Sequence, residues 1–217
     1  MFNRHLEEGL RSYLLLNFNP VIRWLIISDF VLGASYGLLA PIFAVFITDF
    51  VPGGNIQVAG VAATIYLVTK SLAQIPAAAI VDRIKGERDD YWVLLIGSLL
   101  VALIPALYIF VHSVGQLYLV QFVYGIVVAF TFPSYMAIFT RHIDRTRAGT
   151  EWGVYFTLTD LSSAVTGAIG GTIALYIGFT WVFIGVSALS IVGSLMLMFI
   201  YGYMKKASWA ERHLPSR

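Results

Sequence analysis

Six stretches of this chain are long and apolar enough to cross a bilayer, and only short polar segments separate them. They run approximately Trp24–Phe46, Val58–Val81, Tyr91–Val111, Tyr118–Thr140, Val154–Ile177 and Thr180–Tyr203. A helix needs about 20 such residues to span roughly 30 Å of hydrocarbon. A membrane barrel would instead show shorter segments of alternating polarity, and none of these runs alternates. The separators, Asp49–Asn55, Asp82–Asp90, His112–Gln116, Arg141–Gly153 and Gly178-Phe179, leave no room for a soluble domain. The expectation is an all-α polytopic membrane protein: a six-helix domain over 21–204, a leader over 1–20 and a polar tail over 205–217.

Composition closes off most other classes. Apolar residues make up 59% and charged residues 12% of the 217, about half the charge of a soluble domain. The net charge of +2 is too small to imply nucleic acid as a partner. There is no cysteine, and His5, His112, His142 and His213 never fall at metal-ligand spacing, so no metal site is expected. No phosphate-binding glycine loop, HExxH or GxSxG is present, so neither an enzyme nor a cofactor is expected.

Lys and Arg placement orients the chain. Arg4, Arg11 and Arg23 precede the first span; Arg83, Lys85 and Arg88 lie between the second and third. Arg141, Arg145 and Arg147 lie between the fourth and fifth, and Lys205, Lys206, Arg212 and Arg217 follow the sixth. The remaining loops have none, which predicts both termini in the cytoplasm and residence in the plasma (inner) membrane. Leu6, Leu10, Tyr13, Leu14 and Asn17 recur at helical spacing. The leader is therefore either an interfacial helix or a polar segment carrying topology charges. Trp24, Trp92, Trp152 and Trp181 fall near span ends, where they read as interfacial anchors.

Three ionisable side chains fall inside spans: Asp29, Lys70 and Asp160. Each costs about 2.5–3.5 kcal/mol at a helix centre, so each needs a partner or a watery cavity. Asp29 lies roughly 9 Å beyond Arg23 and Asp160 roughly 13 Å beyond Glu151, while Lys70 lies about 18 Å from Asp82. One carboxylate is expected to neutralise Lys70, leaving the other for a proton or a cationic solute. A structural ion-pair set is the alternative. Tyr36, Tyr66, Gln74, Gln121, Tyr124, Thr159 and Ser163 lie at depths where a solute can touch them. Pro41, Pro76, Pro105 and Pro133 interrupt or end spans, and Gly33/Gly37 and Gly167/Gly171 have the small-xxx-small spacing of close helix crossings.

The loop after the second span reads Ala78-Ala-Ile-Val-Asp82-Arg83-Ile-Lys85-Gly86-Glu-Arg88. It resembles G-x-x-x-D-R-x-G-R-K, the signature that follows the second helix in the major facilitator superfamily. Gly33-Ala-Ser-Tyr-Gly37-Leu-Leu-Ala-Pro41, Gln121-Phe-Val-Tyr-Gly125, Phe132-Pro133, Arg147-Ala-Gly149, Gly167-Ala-Ile-Gly170-Gly171 and Trp181-Val-Phe183 follow in family order. Together they are similar to the amino-terminal half of that family. Ala78 replaces the leading glycine, one residue is inserted before Gly86, and Gln121 stands where many proton-coupled members carry an arginine.

The resemblance implies half of a twelve-helix fold, its six helices forming a 3+3 inverted repeat. It implies a half-sized secondary transporter of small organic solutes by alternating access, efflux ahead of sugar uptake. A parallel homodimer would supply the second half, with Lys70 facing Asp160 of the partner and a carboxylate as the proton or cation site. Asp82, Arg83, Gly86, Arg88, Arg141 and Arg145 would form the cytoplasmic gate, Asp82 pairing with Arg141 or Arg145. Membrane lipid, the solute and protons are the partners this reading requires. A non-transporting scaffold and one half of a heterodimer are the competing readings.

Overall fold

A computed structural model describes residues 15–83 and 86–204. Six helical spans account for most of them: α1 (Pro20–Phe50), α2 (Ile56–Arg83), α3 (Glu87–Phe110), α4 (Val114–His142), α5 (Ala148–Tyr176) and α6 (Phe179–Met204). Hydrocarbon offers backbone groups no partner, so each span closes its own hydrogen bonds. The ends carry polar caps. The Asn19 side chain accepts from Val21 N at 2.9 Å ahead of α1, with Pro20 at the first helical position. Ser113 caps α4, and the Gln116 side chain reaches back to His112 N at 2.7 Å. Between α5 and α6 the connection is Ile177-Gly178, not Gly178-Phe179. Gly178 takes φ 99°, and its N–H and that of Ile177 both bond Ile173 O.

The prolines act unequally. At Pro41 the ladder of α1 tightens into a 3-10 turn, Ala40–Ile42, before helix resumes at Phe43. Proline has no N–H to give and crowds the preceding carbonyl turn. Pro105 stands just before a similar 3-10 turn, Tyr108–Phe110, whereas Pro76 and Pro133 lie within unbroken helix.

Side-chain contacts set the alternating direction of the spans. Arg88 meets Tyr201 and Arg141 meets Asp90 at one end, called proximal here; Phe50 meets Phe179 at the distal end. The helices form an arc in which α5 packs on α1, α1 on α6, α6 on α3, α3 on α4 and α4 on α2. α2 and α5 thus stand at its two ends, and they are the least buried spans. One core cluster, including Ile22, Leu25, Ile138 and Phe139, fills the proximal end; another, including Phe46, Ile47, Leu117 and Phe183, fills the distal end. Leu15 and Phe18 belong to the proximal core, and Arg23 donates to Leu15 O and Leu16 O. Residues 1–14 and the tail from 205 lie outside the described residues, as do the leader's helical spacing and the tail's charges.

Small residues bring the backbones together. A methyl group on Gly37 would lie 2.6 Å from Ser163 Cα, and one on Gly170 would lie 2.7 Å from Leu38 Cα. Ser163 Oγ donates to Gly33 O at 3.0 Å. The α1–α5 crossing therefore uses Gly33 and Gly37 as expected, but on α5 the tight position is Gly170. Around Gly167 and Gly171 there is ordinary van der Waals space. Gly125 of α4 is equally tight against α2, where a methyl would lie 2.8 Å from Tyr66 O. On the α1–α6 seam, Ser28 Oγ donates to Gly193 O and Ser35 pairs with Ser190.

Trp24 stacks on Phe199 and Trp152 on Phe139, so these two serve packing; Trp92 and Trp181 stay exposed at opposite ends, as anchors do. In the α4–α5 connection the Asp144 carboxylate accepts from the Thr146 hydroxyl at 2.7 Å and the Thr146 N–H at 2.8 Å. These bonds, the hydroxyl's first, hold its carboxyl below the ordinary aspartate range.

Gly170→Val should lower the thermal midpoint in detergent and cost about 1–3 kcal/mol by overpacking, whereas Gly60→Ala and Gly185→Ala, which face open space, should be neutral or slightly stabilising. The Asp144 turn is fully stabilised above the ordinary aspartate range and loses that contribution as pH falls through the lowered value. The Thr146 amide resonance should follow this titration and cease to do so in Asp144→Asn.

Candidate functional site

Two cavities lie between the core clusters. The distal one, about 460 Å³, is lined by α1, α2, α3 and α4, with Tyr36, Tyr66, Tyr108, Gln121 and Tyr124 among its walls. The proximal one, about 290 Å³, is lined by Asp29, Tyr36, Tyr124, Phe132, Tyr135 and Tyr155, with apolar and small residues between them. Tyr36 and Tyr124 border both, so a tyrosine pair stands at mid-depth between the two spaces. Tyr66 and Tyr124 stack with centroids 4.5 Å apart, and Tyr36 Oη lies 3.4 Å from Val101 O. Gln121 is buried, its side-chain oxygen 3.4 Å from Tyr108 Oη.

Of the three intramembrane charges, Asp29 lines the proximal cavity, and Lys70 and Asp160 line neither of these two. The Tyr155 hydroxyl donates to its carboxylate at 2.7 Å. Lys70 is half-buried, and its ammonium lies 5.1 Å from the Phe132 ring centroid. Asp160 is exposed on α5. Among the described residues neither Asp29 nor Asp160 forms an ion pair with Lys70, so the expected neutralisation does not occur within the chain. Four spans separate α2 from α5 in the arc, which keeps Lys70 and Asp160 apart. Gln74 is half-buried in a shallow groove of α2 that also holds Asp82, away from both cavities. Thr159 and Ser163 bond backbone carbonyls, Ser163 across the α1–α5 crossing.

The gate residues divide at the proximal end. Arg141 pairs with Asp90, not with Asp82: Asp90 is buried at the start of α3, where the end of α4 delivers the guanidinium. Arg88 donates to Tyr201 Oη through Nε at 3.0 Å and Nη2 at 2.7 Å, joining α3 to α6. His142 Nδ1 lies 3.3 Å from Glu87. Asp82, Arg83 and Arg145 are exposed and form no ion pair among the described residues. Gly86 begins α3 at φ 155°, in a region glycine enters without strain.

Sequence reasoning missed Asp90, Tyr108, Tyr135, Tyr155 and Tyr201. Asp90 stands among the loop acids Glu87, Asp89 and Asp90, any of which reads as solvated. The tyrosines sit in apolar runs where nothing local separates a packed ring from one that faces a cavity.

Arg141→Ala strands a buried carboxylate. Because Arg141 is itself 43% exposed, water offsets part of the loss, leaving about 1–3 kcal/mol. Adding Asp90→Asn should recover most of it in a double-mutant cycle read by thermal unfolding.

One comparison with known proteins bears on the family. No curated protein matches the chain. A family model described as the Major Facilitator Superfamily matches residues 53–216, from the loop before α2 into the tail beyond α6. That match spans well over half of the 217 residues, and on this ground the chain belongs to the major facilitator superfamily.

Proposed function

We propose that this chain forms one six-helix half of a secondary transporter for small organic solutes, working by alternating access, and that a second, parallel copy supplies the other half. Membership of a transporter family supports transport. The observation that carries the dimer is the state of the two charges at the ends of the arc: Asp160 is exposed on α5, and Lys70 on α2 forms no ion pair among the described residues. A carboxylate facing lipid at this depth is costly, and a lysine of opposite sign is the natural cover. A two-fold axis along the membrane normal, passing through the open side of the arc, brings each α2 against the partner's α5. It sets Lys70 against Asp160 twice and encloses the cavities between the copies.

The order of neighbours in the arc is unchanged when α1, α2 and α3 exchange places with α4, α5 and α6. That is the pattern a 3+3 inverted repeat produces, and it supports rocking of one half on the other. In this reading Asp29, in the proximal cavity, is the proton or cation site. Tyr36, Tyr66, Gln121 and Tyr124 contact the solute. Arg141–Asp90 and Arg88–Tyr201 hold the proximal gate. The basic residues at the proximal end support a cytoplasmic placement in the plasma membrane.

Lys70→Asp and Asp160→Lys should each reduce the two-chain particle in native mass spectrometry, and the double reversal should restore it. A double variant no better than the singles would break the pairing. A one-chain wild-type particle without solute flux would favour the scaffold or heterodimer readings.

A further inference from the structure

Asp29 stands in a cavity otherwise unlike a proton site. It is the only side chain lining the proximal cavity that is a carboxylate or a cation. Its one side-chain partner among the described residues is the neutral Tyr155 hydroxyl. Asp29 is half-buried at membrane depth, where a carboxylate calls for a counter-charge, and among the described residues no cation forms an ion pair with it. Protonation would need no room. Yet the carboxylate faces a space of about 290 Å³ with five aromatic rings on its walls, Tyr36, Tyr124, Phe132, Tyr135 and Tyr155. Ring faces attract cations when water is excluded, and the Phe132 ring already has the Lys70 ammonium 5.1 Å from its centroid. A further group waits for a partner. Tyr135 is 7% exposed, lines this cavity, and among the described residues its buried hydroxyl oxygen has no hydrogen-bond partner.

We propose that the proximal cavity is a binding site for an organic monocation bearing an ammonium group, with Asp29 as counter-ion, the aromatic walls as cage and the Tyr135 hydroxyl as an additional contact. This names the solute class and rests on the transporter reading above. A sugar or another neutral polyol would leave the carboxylate uncompensated, and an anion would be repelled by it.

The probe is phenethylammonium, which is cationic at neutral pH and whose N–H groups can donate to the Asp29 carboxylate and the Tyr135 hydroxyl oxygen. It is titrated calorimetrically into the full chain in detergent or nanodiscs. Saturable binding is expected, at least about tenfold weaker in Asp29→Asn and largely restored in Asp29→Glu. Tyr135→Phe removes the hydroxyl contact, keeps the ring and should weaken binding severalfold. No binding by the folded wild type, or unchanged affinity in folded Asp29→Asn, overturns the proposal. If Asp29→Asn does not fold, unchanged affinity in Tyr135→Phe overturns it instead. Cation binding without flux in vesicles would remove the transport reading and leave this site standing. Flux of an uncharged solute without cation binding would do the reverse.

Discussion

Close backbone contact at two crossings holds the bundle together. In hydrocarbon an apolar side chain gains little by leaving lipid for a neighbouring helix, so association depends on tight packing and on hydrogen bonds between helices. Gly37 and Gly170 permit that contact between α1 and α5, and Gly125 permits it between α4 and α2. Serines of α1, α5 and α6 add bonds across the seams. The outer helices of the arc are thus each fastened along one seam. Their remaining faces are left open, carrying exposed apolar residues such as Leu72 and Ile75 on α2 and Leu161 and Val165 on α5.

From that arrangement follows the placement of charge. Lys70 and Asp160 ride on the two outer helices, so a single copy separates them. Asp29 rides on α1, inside the arc, where the α1–α5 crossing delivers the Tyr155 hydroxyl to it. The three charges thus differ in role because their helices differ in position. Two belong to the open faces and one to an aromatic cavity.

The proximal end is tied differently. There the helix ends emerge into water, and two arginines replace glycine contacts as the fasteners: Arg141 to Asp90 joins α4 to α3, and Arg88 to Tyr201 joins α3 to α6. Water can take over the exposed guanidinium of Arg141 when that pair parts, but the buried Asp90 carboxylate needs a replacement partner. A membrane-embedded portion packed on glycines beside a polar clasp at the proximal end suits the rocking proposed above.

Much of this was legible before any coordinates. The number of spans, the helical class, the break at Pro41 and the tight role of Gly33 and Gly37 follow from local composition, because a bilayer admits few solutions for a long apolar run. The motif order carried the family. Other features depended on which helix neighbours which. Gly170, and not Gly167 or Gly171, is the tight position, since only the rotation of α5 against α1 decides which glycine meets Leu38. Arg141 meets Asp90 and not Asp82 because the end of α4 lies over the start of α3. Tyr135 and Tyr155 join Asp29 from distant parts of the chain. The sequence by itself determined how many times the chain crosses and what each crossing is made of, since those depend on residues a turn or two apart. Only the tertiary structure decided which charges meet, because electrostatic contact in a low-dielectric medium is settled by a few ångströms across helix seams that no local pattern encodes.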